Sequence, residues 1–276
     1  MTNTRASIAV IGGSGLYTLF DAASSTRHRV ETPYGPVELT LGVLGEKDVA
    51  FITRHGVDHS QPPHLINYRA NIWALASIGV RAILSSSAVG GIGVEYPPGT
   101  LVLTDQFIDR TWGRADTFYD RDSVQHLPAA DPFDPALHRL AADALAAAGE
   151  TFAPEGTVVV IQGPRFSTRA ESLWFRAAGA HTVNMTMYPE VPLASELNIA
   201  TVNLSFVTDS DAGVATEIET GEEVSNELVL RRLVDAQPRI VSAIATIIRA
   251  LPTGYTGREL IDPAAVAAVL ARPVVA

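Results

Sequence analysis

The sequence contains no cysteine, which removes three possibilities together: a disulfide framework, a thiolate metal site and a cysteine nucleophile. Positive charge is also scarce. Twenty Lys and Arg stand against 30 Asp and Glu, for a formal net charge of −10. That balance argues against a nucleic-acid surface, where phosphate contacts need clustered cations. It leaves room for a local basic niche that holds one small anion. No apolar run reaches the ~20 residues that span a bilayer. The opening MTNTRASIAVIGGSG lacks the apolar length and the cleavage site of a signal peptide. The expectation is a cytoplasmic protein with no membrane partner. Internal repeats, low-complexity linkers, a P-loop lysine motif and a G-x-S-x-G nucleophile elbow are missing as well.

What the sequence does contain is an alternation of short apolar, β-branched runs with longer amphipathic ones. The runs at 7–11, 48–52, 81–85, 100–103, 157–161, 182–185 and 200–207 predict strands covered on both faces. Helices are predicted over 66–78, 135–148, 168–178, 189–197 and 225–250, the last kinked or split at Pro238. Interleaving of this kind predicts an α/β sheet with crossover helices, in one domain spanning 1–276. The tail from about 252 carries Pro, Gly and a short helical pattern; it reads as an appendage, or as a cover for an active site or a neighbouring subunit.

Six segments with chemical potential fall at or near the C-terminal ends of predicted strands, where open α/β sheets bind ligands. Gly12-Gly13-Ser14-Gly15 offers backbone N–H groups and a hydroxyl to an anion, but lacks the last glycine of a dinucleotide fingerprint. Arg54-His55-Gly56 supplies a forked cation and a tunable imidazole. His59 and His64 lie nearby, yet the intervening glycine and Gln-Pro-Pro describe a loop, so no metal is expected there. Ser85-Ser86-Ser87-Ala88-Val89-Gly90-Gly91 offers small donors, or is a plain polar loop. In Gln162–Glu171, Ser167 or Thr168 can cap a helix, while Phe166 can stack on a base or enter the core. Asn184-Met185-Thr186 mixes polar and soft apolar character suited to a sugar, or fills a core gap at a helix start. In Thr208-Asp209-Ser210-Asp211, two carboxylates one residue apart share a side of an extended chain, and each raises the other's pKa in a dry pocket. Acidic turns are also common.

In this order the segments resemble the trimeric purine nucleoside phosphorylase superfamily, most closely its methylthioadenosine phosphorylase branch. Asn67-Tyr68-Arg69-Ala70-Asn71, Asp105-Gln106-Phe107-Ile108-Asp109-Arg110-Thr111 and Gly163-Pro164-Arg165-Phe166 carry the resemblance alongside the glycine, arginine and aspartate motifs, over residues 11–211. It implies a twisted mixed sheet flanked by helices, in a homotrimer with sites at subunit interfaces. Inorganic phosphate would lie among Ser14, Arg54, His55, Ser87 and the backbone at Ala88. Ribose would lie against Asn184, Met185 and Thr186, and a purine near Phe166, with Asp209 at N7 and Asp211 near the exocyclic group. His126 would be lent to the neighbouring subunit. The reaction would be phosphorolysis of a purine nucleoside, most closely methylthioadenosine, with Asp209 as general acid and with no cofactor or metal. A 6-oxopurine nucleoside is the nearer rival. A non-catalytic nucleoside-binding protein is a further one, as is a calcium-dependent hydrolase, for which no acidic cluster precedes Asp105.

The resemblance departs in two places. Residues 213–223 form a longer stretch than the family's, and Asn226 falls where residues 224–229 would be apolar around the 5′ substituent. The tail from 252 lies outside the pattern.

Overall fold

The computed structural model describes residues 5–212 and 225–274. Its chain order is β1 (Ile8–Gly12), β2 (Thr26–Val30), β3 (Val37–Leu44), β4 (Lys47–Thr53), α1 (Tyr68–Ser77), β5 (Ala82–Gly91), β6 (Leu101–Thr104) and β7 (Gln106–Arg110). There follow α2 (Pro135–Ala147), β8 (Phe152–Ala153), β9 (Thr157–Ile161), α3 (Arg169–Ala177), β10 (Thr182–Asn184), α4 (Met187–Glu196), β11 (Ala200–Ser210), α5 (Asn226–Ala250) and α6 (Pro263–Leu270). The strands form one mixed sheet running β2-β3-β4-β1-β5-β10-β9-β7, while β11 pairs β5 and β6, and β6 pairs β8.

Both faces of the sheet are covered, which is why its inner strands read as continuous apolar runs. Ala9 and Ile11 of β1 face a cluster built with α1, α4 and α6. Ile8 and Val10 face the opposite cluster, built with α2 and α5. The expected tail is no appendage. Ile261, Val266 and Val269 belong to the first cluster, the Trp73 indole donates to the Val269 carbonyl at 3.1 Å, and Arg272 donates to Phe118 O at 2.7 Å.

Of the two expected outcomes at Pro238, kinked or split, α5 is not split: it runs unbroken through the proline. Residue 238 faces outward, and the residue four before it, Val234, is 64% exposed, so the carbonyl that loses its partner can be hydrated. The helix ahead of Glu196 is irregular instead at Tyr188, whose backbone is extended, so regular helix starts at Pro189 as the sequence predicts.

What places the site is the path of β5. Its edge pairs with β1 over Ala82–Ser85 and with β10 only at Gly90 and Gly91. Between them the sheet forks, leaving residues 86–89 unpaired on that side while β11 follows the other side throughout.

Candidate active site

A cavity of about 490 Å³ opens at this fork. Eleven of the twelve residues singled out above border it: Ser14, Arg54, His55, Ser87, Ala88, Phe166, Asn184, Met185, Thr186, Asp209 and Asp211. The twelfth, His126, is exposed in the segment between β7 and α2 and does not border it.

At one end lie the glycine loop after β1 and the Arg54-His55 segment after β4. Gly13 donates to Ser86 Oγ at 3.2 Å. A Cβ at Gly13 would stand 2.6 Å from Ser86 O and 2.8 Å from Arg54 Nη1, so only glycine lets this loop close onto the guanidinium. Arg54 is buried, donating from Nε to Glu190 Oε2 at 2.6 Å, from Nη2 to Glu190 Oε1 at 2.7 Å and from Nη1 to Ser86 O at 2.9 Å. Burial works against its charge, but Glu190 more than offsets this and holds the pKa above its ordinary value. Three of the five guanidinium N–H groups are thus engaged and two remain for a ligand. No sequence signal marks Glu190 as the residue that orients Arg54. It lies 136 residues away, within a segment that signals only a helix start.

His55 differs from the donor that was expected. Its Nδ1 is 2.9 Å from the Gln61 carbonyl, which can only accept. Burial first, then Arg54, pushes its pKa down to about 4. The ring is therefore neutral near pH 7 with its proton on Nδ1, and Nε2 is an acceptor. On the unpaired edge of β5, the Ser86 carbonyl faces Arg54. By strand alternation Ala88 turns its N–H to the same side, free of any β partner.

The other end is acidic. The β11–β5 register shifts between Val207 and Asp209, a bulge that re-aims the strand as it reaches the cavity. The chain stays extended to Ser210, so Asp209 and Asp211 both face inward. Burial, reinforced by Asp211, pushes the Asp209 carboxyl up to about 6 against a hydrogen bond from Thr208. Burial also raises Asp211, against the Ser172 and Ser167 hydroxyls and the backbone at Ala212, which favour its charged form.

Between the two ends, Asn184 uses Oδ1 to accept from Thr186 N at 2.6 Å and Met187 N at 2.8 Å. Its oxygen therefore caps the α4 start, and only its amide nitrogen remains for a ligand. Met185 packs against Gly163. Phe166 is 41% exposed rather than in the core, on a loop that Arg165 ties to Glu171. Thr168, the expected cap, forms a capping box with Glu171. Val229 borders the cavity too, as an apolar contact from the 224–229 stretch. The stretch 213–223 and the side chain of Asn226 lie outside the described residues. His59, Pro62 and Pro63 also line the cavity and were not singled out as ligands. Among the described residues, no group of three His, Cys, Asp or Glu could hold a metal ion, and no helix is long and apolar enough to cross a membrane.

Most of the chain is similar to known proteins. Residues 7–249 match the family described as the phosphorylase superfamily. A purine nucleoside phosphorylase from Streptomyces coelicolor is 47% identical over 90% of this chain and 90% of its own. An S-methyl-5′-thioadenosine phosphorylase from Mycobacterium tuberculosis is 49% identical over 78% of this chain and 80% of its own. Among solved structures, a methylthioadenosine phosphorylase from Schistosoma mansoni in complex with adenine superposes with a TM-score of 0.83. It is 31% identical, covering 96% of this chain and 98% of that one.

Proposed function

Since this chain belongs to the phosphorylase superfamily, we propose that it cleaves 5′-methylthioadenosine with inorganic phosphate, giving adenine and 5-methylthioribose 1-phosphate. The observation that carries the choice of base is the Asp209/Asp211 pair, two buried carboxyls bordering one cavity. A carboxylate there accepts from a 6-amino group and, unless it is itself protonated, repels a 6-oxo group.

Phosphate lies among Ser14, Arg54, His55, Ser87 and the Ala88 N–H. Because His55 Nε2 is an acceptor, the hydrogen of hydrogenphosphate is directed to it and the bare oxygens to the donors. Ribose packs on Met185, near the Asn184 amide and Thr186, and the base stacks on Phe166. One phosphate oxygen forms a bond to C1′ as the C1′–N9 bond breaks. The bonding pair passes into the purine, and N7 takes the proton held by Asp209. The dianion offsets positive charge on the sugar while Asp209 neutralises the leaving base. No cofactor or metal enters this scheme. The protein acts in the cytoplasm as a homotrimer in which His126 reaches the 5′ side of a neighbour's site.

A second reading, a 6-oxopurine nucleoside as substrate, draws on the raised pKa of both aspartates: protonated, Asp211 donates to a 6-oxo group. Base release from methylthioadenosine, methylthioinosine, adenosine, inosine and guanosine, with and without phosphate, decides between them. Fastest cleavage of methylthioadenosine, dependent on phosphate, is expected. Preference for the 6-oxo substrates would overturn the assignment of the base, and release without phosphate would overturn phosphorolysis.

A further inference from the structure

Behind the cavity wall five buried polar side chains form a layer across three strands: Ser85 and Ser87 of β5, Asn203 and Ser205 of β11, and Thr104 of β6. In a sheet covered on both faces such a layer is tolerated when each polar group is bonded, so its direction can be worked out hydrogen by hydrogen. Asn203 Nδ2 is 2.9 Å from Ser85 Oγ and 3.1 Å from Ser87 Oγ and donates one hydrogen to each. Its Oδ1 accepts from Ser205 Oγ at 2.7 Å. The single Ser205 hydrogen is thereby used, so Thr104 Oγ1, 3.1 Å away, is the donor to Ser205. The chain runs one way, from Thr104 through Ser205 and Asn203 to Ser87. Ser87 Oγ accepts at its end and keeps its own hydrogen, and of these five residues Ser87 alone borders the cavity.

We propose that Asn203, which does not itself border the cavity, is the positioning residue that keeps Ser87 a hydrogen-bond donor to the bound phosphate. The inference rests on the reading of Ser87 as a phosphate contact. An unprotonated phosphate oxygen only accepts, so the Ser87 hydroxyl helps only with its hydrogen turned outward. The chain behind it fixes that direction and polarises the O–H bond. With the amide turned the other way, Oδ1 would draw the Ser87 hydrogen back into the sheet, and the hydroxyl would present lone pairs to the anion.

The test is a mutant cycle on KM for phosphate and for nucleoside, at pH 8, with folding checked by thermal denaturation. Ser87→Ala is expected to raise the phosphate KM about tenfold, the loss of one charge-assisted hydrogen bond. Asn203→Asp supplies a carboxylate that accepts from Ser87 and is expected to raise it similarly, with the nucleoside KM changed less than about twofold. In the Ser87→Ala background, Asn203→Asp should add nothing. If the aspartate variant does not fold, Asn203→Leu enters the same cycle: it removes the donor, and its smaller rise in phosphate KM should likewise vanish once Ser87 is gone. Losses that add, or that fall equally on the nucleoside KM, make Asn203 a packing residue and overturn the proposal. An unchanged phosphate KM in Ser87→Ala instead overturns the placement of phosphate on which it rests.

Discussion

Burial lifts the Asp209 carboxyl to about 6, close enough to neutrality for it to hold and release a proton. Replacing it with Asn keeps the shape and removes the proton. Asp209→Asn should lower kcat by ~10²–10⁴-fold, whereas Asp211→Asn, which keeps an accepting oxygen, should act mainly on the nucleoside KM. Equal losses in base-release rate would remove the distinction between the two roles. The same carboxyl ties stability to pH. Its folded pKa lies above the ordinary 3.8, so its contribution is full below pH 4 and is lost as the pH rises through 6, a cost of ~3 kcal/mol at neutrality. His55 slopes the other way. Its folded pKa of about 4 makes stability fall as the pH drops from 6.5 towards 4. These two residues therefore contribute opposed slopes between pH 4 and 6, and Asp209→Asn removes the aspartate's contribution. Urea denaturation at pH 4.5 and 7.5 should show the variant gaining ~2–3 kcal/mol on wild type at the higher pH; an identical difference at both would sink the burial argument. The residues that line the cavity were legible because motifs at strand ends carry them in sequence order. The Glu190 clamp on Arg54, the Asn203 relay and the neutral state of His55 were not, since each arises from contacts that only folding creates.

At the scale of elements, the strands that sequence reading missed are mainly those away from the middle of the sheet. β2 (Thr-Arg-His-Arg-Val) is mostly exposed and β7 ends in exposed Asp109 and Arg110, so neither shows an apolar run. β5 runs to Gly91 rather than Ser85 because β11 pairs with it along its whole length, overriding the loop-like serines and glycines. The end of α5 depends on another contact that no local pattern announces. Lys47, the sole lysine in the sequence, donates to the carbonyls of Ile248 at 2.9 Å and Arg249 at 3.1 Å, and to that of Leu251. One ammonium thus satisfies three terminal acceptors and faces the negative end of the helix. Lys47→Met retains the apolar stem and removes the charge. It should cost ~1–2 kcal/mol, lowering Tm by roughly 2–6 °C, with kcat unaltered because the cavity is lined by other residues. A Tm within 1 °C of wild type would mean that water caps the helix as well as lysine does.

At the scale of the molecule, several large apolar side chains are exposed, and one of them, Phe166, borders the cavity. Trp112 is 68% exposed, Leu173 and Trp174 are 51% exposed, and Phe166 is 41% exposed. Trp112 N donates to Gln162 Oε1 at 3.2 Å, and Arg110, two residues before Trp112, lies 4.7 Å from the centre of the Trp174 ring. Single exposed apolar residues are ordinary, but several, one of them at a ligand cavity, suit a subunit interface. In the proposed trimer the exposed His126 of one subunit would reach the site of the next, and each site would be the product of two chains. Co-expression of His126→Ala with Asp209→Asn tests this directly. In random mixed trimers a site holds an intact Asp209 in half the cases and an intact neighbouring His126 in half of those. About a quarter of the sites are then fully wild type. Assayed at low nucleoside concentration, the mixture should exceed both parents and approach that fraction of wild-type activity. If His126 served its own subunit, or no site, mixing would create no new combination and activity would stay at the average of the parents.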